Sequence, residues 1–409
     1  MRILIVTPHF HPESFKCNDM AFELARRGHE VAVMTAIPDY PQGKFFKGYG
    51  VFKKRREKLD GVIVHRSLII PRGKGGAVRL AINYVSYAFF ASLQALRLGL
   101  TKKYDAIVVF QLSPVLVGIP AVIVKKLQKA PAYFWVQDLW PESLAVAGGI
   151  KNRFVLRLFE RLTVGLYRQS EKILVSSRGF RESICSKGDF GRKIIFFPNW
   201  VDDILEKRGE DSNIGLQVPG LPEGFVVLFA GNMGEAQDLP HMMDAAERLK
   251  GYPDIHFVFV GDGRKKAWVE TYIKEHGLED TVHCLGRYPL AAMPMLFRQA
   301  DVLFLSLKDS GIFGLTVPSR LQAYMSAGKP VVAMLDGEGR EVIEEAQCGY
   351  SVPAGDSQAL AELLIRLPEE DKEILHQKGE NGKAYSKLHY DFQTCMNRLL
   401  QIIDGEDVN

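Results

Sequence analysis

A loop near the start of the chain combines polar side chains with the expected beginning of a helix. Residues 7–19 follow the apolar run 3–6 and lead into an amphipathic stretch at residues 20–27. Lys16 therefore stands near the N-terminus of a predicted helix, where free N–H groups and the positive end of the helix dipole bind phosphate. We predict that Lys16 is one of the catalytic residues. The alternative is an ordinary exposed lysine.

Asp138 follows a second apolar run, residues 132–136, directly after Gln137. An aspartate at the carboxyl end of a strand can orient a sugar hydroxyl or take part in proton transfer. We predict a catalytic role for Asp138. The alternative is that it only caps the segment that follows.

Three glycine-containing segments in the second half of the chain follow successive strand-like runs. Small residues at such positions let backbone N–H groups come close to a phosphate. None of these segments, nor the loop before Lys16, has the G-x-G-x-x-G pattern of dinucleotide-binding enzymes, so a dehydrogenase is disfavoured. The residues that we expect to bind a nucleotide here are Gly231, Asn232, Gly261, Gly263, Arg287 and Tyr288.

Residues 311–325 form the strongest local motif. Pro318 suits the first turn of a helix, so Ser319 and Arg320 are expected at a helix N-terminus, where an arginine can bind a diphosphate with two parallel hydrogen bonds. We predict that Arg320 is catalytic and also binds the substrate that carries this diphosphate, which we call the donor. Thr316 and Ser319 are predicted to bind the donor too. The alternative is an arginine placed there by accident.

A bound metal looks unnecessary for this chemistry. No D-x-D pair stands at an expected strand end in a context suited to Mg²⁺, which prefers carboxylates together with phosphate oxygens. Helix N-termini, Lys16 and Arg320 could carry the phosphate charge instead. We therefore predict a metal-independent site and no cofactor.

The elements that must position these residues alternate along the chain. The expected fold class is α/β, with two Rossmann-like doubly wound lobes, because such alternation builds parallel sheets with right-handed crossovers. Ligands bind beyond the carboxyl ends of such strands, so we expect a deep cleft between the lobes. The predicted strands are residues 3–6, 30–34, 62–66, 106–110, 132–136, 173–175 and 194–197, then 225–230, 256–260, 282–285, 302–305 and 331–334.

The expected boundary between the lobes falls at a hinge near residue 200. Residues 1–200 form the predicted N-terminal lobe, on the acceptor side, and a C-terminal helix within 385–409 completes it. Residues 201–384 form the predicted C-terminal lobe, on the donor side. A linker is expected over residues 197–224, where the motif 197–202 is followed by a polar segment, rich in glycine and proline, that reaches Gly224.

Composition agrees with a cytoplasmic protein. The 409 residues are 47% hydrophobic, enough for two cores, and no apolar window reads as a signal peptide or a good membrane span. No cysteine belongs to a C-x-x-C pair, which fits a reducing compartment. The five cysteines are Cys17, Cys185, Cys284, Cys348 and Cys395.

Positive charge is concentrated in residues 44–103, although the formal net charge is only +4. With the aromatic-rich residues 84–90, this segment suggests peripheral contact with the anionic inner face of the cytoplasmic membrane. The alternatives are a solvated basic face and aromatic side chains that pack in the first lobe. We expect no nucleic-acid partner.

Several motifs resemble those of the retaining glycosyltransferases of the GT-B fold, family four. They are residues 26–31 (Arg-Arg-Gly-His-Glu-Val), 197–202 (Phe-Pro-Asn-Trp-Val-Asp), 286–287, 300–303 and 327–333. The resemblance runs over nearly the whole chain. It implies a nucleotide-sugar donor, retention of the anomeric configuration, and front-face attack in which the leaving diphosphate accepts the proton of the acceptor.

A narrower likeness is to bacterial L-N-acetylfucosamine transferases of O-antigen and capsule synthesis. It depends on residues 12–19, 37–44, 137–143 and 317–320. It implies a UDP-linked N-acetylated deoxy-sugar as donor and a polyprenyl-pyrophosphate-linked saccharide as acceptor. Two of its motifs contain Glu13 and Gln137, which we expect on the acceptor side.

The chain departs from the family pattern at the phosphate and ribose contacts. Asn232 and Gln237 stand where most members have an arginine and a lysine, and Ala323 stands where the ribose-binding glutamate would fall. We expect Arg320 to supply the missing phosphate charge, and Gln322 is a candidate for the ribose. Two other functions remain open at this point: a nucleotide-sugar 2-epimerase of the same fold, and a non-catalytic nucleotide-sugar binding protein.

Overall fold

The computed structural model describes residues 1–146, 150, 152–202 and 218–406, and these form two compact units. The first contains the described residues of Met1–Pro198 and Met396–Asn409, and the second those of Asn199–Cys395. Each is built on a largely parallel sheet with helices in its crossovers. The two Rossmann-like units predicted from the alternating pattern are confirmed.

The sheet of the first unit has the strand order β3-β4-β2-β1-β5-β6-β7-β8 in the described residues. All neighbouring strands are parallel except β3 and β4. Its strands are β1 (Arg2–Val6), β2 (Glu30–Ala36), β3 (Arg56–Leu59), β4 (Val62–Ser67), β5 (Ala106–Gln111), β6 (Ala132–Val136), β7 (Lys172–Val175) and β8 (Ile194–Phe196).

The helices of the first unit lie between these strands. Helix α1 ends at Arg26, and Gly28 just beyond it has a φ of +86°, which glycine adopts without strain. The helices are α1 (Lys16–Arg26), α2 (Ala77–Thr101), α3 (Gly118–Gln128), α4 (Glu142–Val146), α5 (Arg153–Gln169) and α6 (Phe180–Ser186).

The sheet of the second unit has the order β11-β10-β9-β12-β13-β14, and all its neighbours are parallel. Large apolar side chains of both sheet faces are buried, which explains why the strands read as continuous apolar runs. The strands are β9 (Phe225–Asn232), β10 (Ile255–Asp262), β11 (Val282–Gly286), β12 (Val302–Ser306), β13 (Val331–Met334) and β14 (Gly349–Val352).

The described helices that follow in the chain begin with α7, which buries Leu239, Met242 and Met243 on one face. They are α7 (Leu239–Arg248), α8 (Lys266–Glu275), α9 (Met293–Gln299), α10 (Ser319–Ser326), α11 (Glu338–Ala346), α12 (Ser357–Arg366), α13 (Lys372–His389) and α14 (Phe392–Asp404).

The units divide close to the predicted hinge but not at it. Residues 199–200 and 385–395 belong to the second unit. The Trp200 ring packs on Phe392, and the N–H of Val201 donates to the Tyr390 carbonyl at 3.0 Å. Residues 203–217 of the predicted linker and the last three residues of the predicted C-terminal segment lie outside the described residues.

The second part of α14, from Met396 onward, belongs to the first unit. Arg27 donates to the side chain of Asn397 at 2.7 Å, and the Tyr133 hydroxyl donates to the Ile403 carbonyl at 3.2 Å. Among the described residues, no helix is both long enough and apolar enough to pass through a bilayer.

Candidate donor-binding site

The carboxyl ends of β9 and β12 mark the place where the strand order of the second sheet reverses. The chain runs outward from β9 through β10 to β11 and then returns to β12 on the other side of β9. Doubly wound sheets bind their ligands at such a switch point. The predicted residues Gly231 and Asn232 end β9, and Ser319 and Arg320 open α10.

Arg320 and Gly231 are in close contact. A Cβ atom on Gly231 would lie 3.0 Å from Nε and 3.2 Å from Cζ of Arg320, so the guanidinium lies against the bare Cα of this glycine. The cation also lies 4.5 Å from the ring centre of Phe229, which is favourable for a cation–π interaction. The structure thus brings together two residues that separate sequence motifs assign to the donor.

The guanidinium of Arg320 is held at a cost that an anion would relieve. Its Nη1 is buried and has no hydrogen-bond partner among the residues that the structure describes. Burial also lowers the pKa of Arg320 from its usual value. A buried charged group without a partner is destabilising, whereas a phosphate oxygen would both pair the charge and accept from the free N–H.

The glycines at the strand ends are explained first by close backbone packing. Gly261 pairs with Gly231 across β10 and β9, and a Cβ on Gly261 would lie 1.9 Å from the Gly231 carbonyl oxygen. A Cβ on Gly263 would lie 2.4 Å from the Met233 carbonyl oxygen. The sequence motifs suggest only phosphate binding for these glycines. The structure adds that they let the strand ends come together beneath that site.

The loop after β9 is fastened to the segment after β12. The Ser306 hydroxyl donates to the Gln237 carbonyl at 2.5 Å, and the N–H of Lys308 donates to the Ala236 carbonyl at 2.9 Å. Gln237 Oε1 accepts from the Gly234 N–H at 3.0 Å. Gln237 therefore shapes this loop, in a place where most family members carry a charged phosphate ligand.

Two lysines near this loop were not predicted from the sequence. Lys265 and Lys308 both pair with the carboxylate of Glu235, at 2.9 and 3.5 Å. The bond from Lys265 is the main reason that the pKa of Glu235 lies below its usual range. Both lysines follow strand ends, which was the signal that could have pointed to them. They place positive charge where the expected arginine and lysine are absent.

The remaining predicted donor residues are less uniform. Arg287 and Tyr288 directly follow β11, and Ser319 is exposed at the start of α10. The Thr316 hydroxyl donates to the Phe313 carbonyl at 2.9 Å. Gln322 does not fit the predicted ribose contact, because it is buried and its Nε2 donates to the Asn199 carbonyl at 3.0 Å. Its role in the structure is to hold the start of the second unit.

In the first unit, Asp138 joins the loops that follow β5 and β6. Its Oδ2 accepts from both the N–H and the hydroxyl of Ser113, at 3.1 and 2.9 Å, and that hydroxyl accepts from Trp140 Nε1 at 3.0 Å. Both bonds go to Oδ2, and within the described part of the chain Oδ1 accepts no hydrogen bond, so it could contact a ligand at this carboxyl edge. Gln137 is half-buried beside it, and the backbone N–H of Gln137 donates to the Gln111 carbonyl at 3.0 Å.

Glu13 is fully engaged inside the first unit. Its Oε1 accepts from the N–H groups of Asp39 and Tyr40, at 3.0 and 2.7 Å. Its Oε2 accepts from the Phe10 N–H at 3.3 Å and lies 3.1 Å from His9 Nδ1. The side chain is buried, so the predicted direct contact with an acceptor does not fit, and Glu13 instead holds the loop that carries Lys16. Lys16 is half-buried and is the first residue of α1.

His9, Glu13 and Asp39 come close enough together to suggest a metal site, with potential ligand atoms within 4.8 Å of one another. Their atoms are already used, however. Asp39 Oδ2 accepts from the Arg72 N–H at 2.9 Å and from Asn83 at 3.1 Å, and Arg72 Nη2 lies 3.2 Å from His9 Nε2. A guanidinium directed at this group disfavours a second cation. The donor set fits a structural network better than a metal centre.

We expect EDTA to leave donor binding and turnover unchanged, because the charges at the candidate site come from protein groups. Calorimetric titration of UDP with and without EDTA, together with an activity assay, measures this. Loss of activity in EDTA that Mg²⁺ restores would contradict the prediction. A known Mg²⁺-dependent transferase treated in parallel provides the control.

Comparisons with known proteins agree with this architecture. Residues 16–200 match the family model described as glycosyl transferase 4-like domain, and residues 217–385 match that of glycosyl transferases group 1. HepE of Anabaena, solved in complex with UDP and glucose, covers 99% of this chain with 100% of its own, at a TM-score of 0.68 and 18% identity. The fold of the chain is thus that of the GT-B glycosyltransferases.

Two relatives are similar in sequence. The glycosyltransferase WbjE of Pseudomonas aeruginosa is 30% identical over 67% of this chain and 70% of its own length. The colanic acid biosynthesis glycosyl transferase WcaI of Escherichia coli K12 is 28% identical over 80% of this chain and 82% of its own. The chain belongs to the group 1 glycosyltransferases with a glycosyltransferase 4-like N-terminal domain.

Proposed function

We propose that this glycosyltransferase uses a UDP-sugar donor, with an N-acetylated deoxy-sugar as the group transferred, and a polyprenyl-pyrophosphate-linked saccharide as acceptor. The product would enter a bacterial surface polysaccharide such as O-antigen or capsule. The name of WcaI, which concerns colanic acid, supports the pathway class, and the UDP bound to HepE supports the donor class. The reaction would take place at the cytoplasmic face of the membrane.

The observation that carries the proposal is the Nη1 atom of Arg320 beside Gly231. This atom is buried and has no hydrogen-bond partner among the residues that the structure describes. A diphosphate placed at the N-terminus of α10 would accept from this guanidinium and from the first N–H groups of the helix. As the glycosidic bond to the donor breaks, negative charge grows on the leaving diphosphate. A fixed cation with a buried N–H group would stabilise this developing charge more than it stabilises the ground state, which would be the main electrostatic contribution to catalysis.

The stereochemical course that we propose is retention by front-face attack. The leaving diphosphate oxygen takes the proton of the acceptor hydroxyl on the face from which it departs, so no protein base is required. Asp138, through its available Oδ1, orients a hydroxyl of the sugar or the acceptor, while Ser113 fixes the carboxylate. Lys265 and Lys308 would add positive charge near the diphosphate.

A panel of UDP-sugars, each with and without a polyprenyl-pyrophosphate saccharide, tests this function. We expect UDP to be released together with a glycosylated acceptor, and NMR of the product to show the anomeric configuration of the donor. An epimerised nucleotide sugar without UDP release would replace transfer by epimerisation. An inverted product would refute the mechanism and leave the enzyme class unchanged.

A further inference from the structure

Helix α2 of the first unit exposes a continuous row of large apolar side chains. Their spacing of three or four residues places them on one face of the helix. Their exposed fractions range from 42% for Ile82 to 75% for Val78. This row, which we call the α2 ridge, consists of Val78, Ile82, Val85, Phe89, Leu93, Leu96 and Leu100.

The buried face of α2 is no more apolar than the exposed one. It carries Asn83, Ser86 and Tyr87 together with small alanines such as Ala91 and Ala95. Of the predicted aromatic segment, Tyr87 is in the core, where its hydroxyl donates to the Thr7 carbonyl at 3.0 Å, whereas Phe89 is exposed. A surface helix normally turns its polar side outward, so an apolar outer face indicates a binding surface.

Positive charge accompanies the α2 ridge. The helix contains Arg79 and Arg97 and no acidic residue. At its C-terminal end opens a cavity of about 840 Å³, which we call the amino-edge pocket, because it lies at the starts of β1, β2 and β4. Leu100 belongs both to the ridge and to the wall of this pocket. The charged residues that line the pocket are Arg2, Arg56, Lys58, Lys102 and Lys103, with Glu30 as the single carboxylate.

Most of these cations are not neutralised within the part of the chain that the structure describes. There, the side chains of Lys102, Lys103 and Arg56 form no ion pair or hydrogen bond, whereas Arg2 pairs with Asp105. His65, in the wall of the pocket, has its pKa lowered to about 4, first by burial and then by the nearby cations. An unbalanced positive field next to an apolar ridge requires a partner that is itself anionic and apolar.

We propose that the α2 ridge inserts into the interfacial layer of a membrane and that the amino-edge pocket binds the phosphate headgroup of an anionic phospholipid. The helix is about 37 Å long and would lie in the plane of the surface, with its cationic flank on the headgroups. Apolar insertion and charge attraction together give stable peripheral binding where either alone would be weak. A second copy of the chain is a poorer occupant, because its pocket would bring like charges together.

This surface is separate from the donor chemistry. The amino-edge pocket lies at the opposite end of its strands from the two loops that lead from β1 to Lys16 and from β6 to Asp138, and the candidate donor site belongs to the second unit. Membrane binding can therefore be measured without turnover. It succeeds or fails independently of the function proposed above.

Sedimentation of the full-length protein with vesicles tests the proposal. One set of vesicles is pure phosphatidylcholine, and the other contains about 30 mol% of the anionic lipid phosphatidylglycerol. We expect binding to the anionic vesicles that weakens with added salt. Phe89→Ser with Leu93→Ser should weaken it by about tenfold or more, because two apolar side chains no longer insert. Lys102→Glu with Lys103→Glu should weaken binding to anionic vesicles by a similar factor, about tenfold.

Matched variants on exposed sites of the second unit provide the controls. Ile374→Ser with Leu388→Ser removes comparable apolar surface, and Lys274→Glu with Lys372→Glu reverses comparable charge. Both should bind vesicles like the unaltered protein, and every variant should keep its UDP affinity as evidence of folding. The proposal is overturned if the unaltered protein ignores anionic vesicles, or if controls and test variants behave alike. It is also overturned if the ridge variants only dissociate a dimer, as light scattering would show.

Discussion

Replacing Arg320 with alanine is expected to lower the affinity for UDP by roughly 10- to 150-fold, because a charge-assisted hydrogen bond contributes about 1.5–3 kcal/mol. The Nη1 atom of its guanidinium is buried and has no partner in the described residues, and the residue lies at the N-terminus of α10. Turnover should fall by at least the same factor, since the charge on the diphosphate grows as the donor bond breaks. Isothermal titration with UDP measures the first effect and initial rates the second.

Two further variants make this result specific. Gly231→Ala would place a Cβ 3.0 Å from Arg320 Nε and displace the guanidinium, so UDP affinity should fall in the same direction. Arg248→Ala removes an exposed arginine that pairs with Asp244 on α7, and should leave UDP binding unchanged. If Arg320→Ala keeps UDP affinity within about twofold, then Arg320 does not carry the phosphate charge, because even one such bond is worth more than that.

The sequence predicted those features of the fold that repeat along the chain. Buried parallel strands are continuous apolar runs, so most strands of both sheets could be predicted from the sequence. Two strands were not predicted. Arg56–Leu59 is rich in charge because it is an antiparallel edge strand, and Gly349–Val352 is only four residues long with a glycine at its start. Neither has a periodic pattern that could distinguish it from a loop.

The site was only partly predictable, because its contacts join residues far apart in the chain. The carboxylate of Glu13 accepts from N–H groups near residue 40, so a residue that looked available to a ligand is a structural one. Gln322 is likewise occupied by Asn199, more than a hundred residues away. Arg320 could be identified because a proline two residues before it already predicts that it lies at a helix N-terminus. Its contact with Gly231 needed the structure.

The α2 ridge shows a different reason why the sequence alone did not predict a feature, in this case which face of the helix is exposed. Large apolar side chains lie on its outward face and polar ones such as Asn83 and Ser86 on its inward face, so the usual rule that the apolar face is the buried one gives the wrong orientation. The burial of Tyr87, whose hydroxyl donates to the Thr7 carbonyl, and the exposure of Phe89 establish which face is which.

Substituting alanine for Gly261 is expected to lower the free energy of unfolding by more than about 4 kcal/mol, a range reached only by severe core or backbone disruption. The added Cβ would lie 1.9 Å from the carbonyl oxygen of Gly231, and that atom belongs to a paired strand and cannot turn aside. The φ of +152° is also one that alanine adopts with strain. Relief would require β9 and β10 to separate at the edge that holds Arg320. Urea unfolding followed by circular dichroism measures the loss, with each unit expected to contribute its own transition.

Gly277→Ala is the matched control for this change. Gly277 has a φ of +57° in the same unit, and a Cβ there would meet no atom within 4 Å, so only the backbone cost of about 1–2 kcal/mol should appear. If Gly261→Ala fails to accumulate in soluble form while Gly277→Ala does, that is the extreme case of the expected result. Equal stability of the two variants would mean that the strand ends do not approach as closely as the structure has them. The close approach of the ends of β9 and β10 would then not be what positions Gly231 against Arg320.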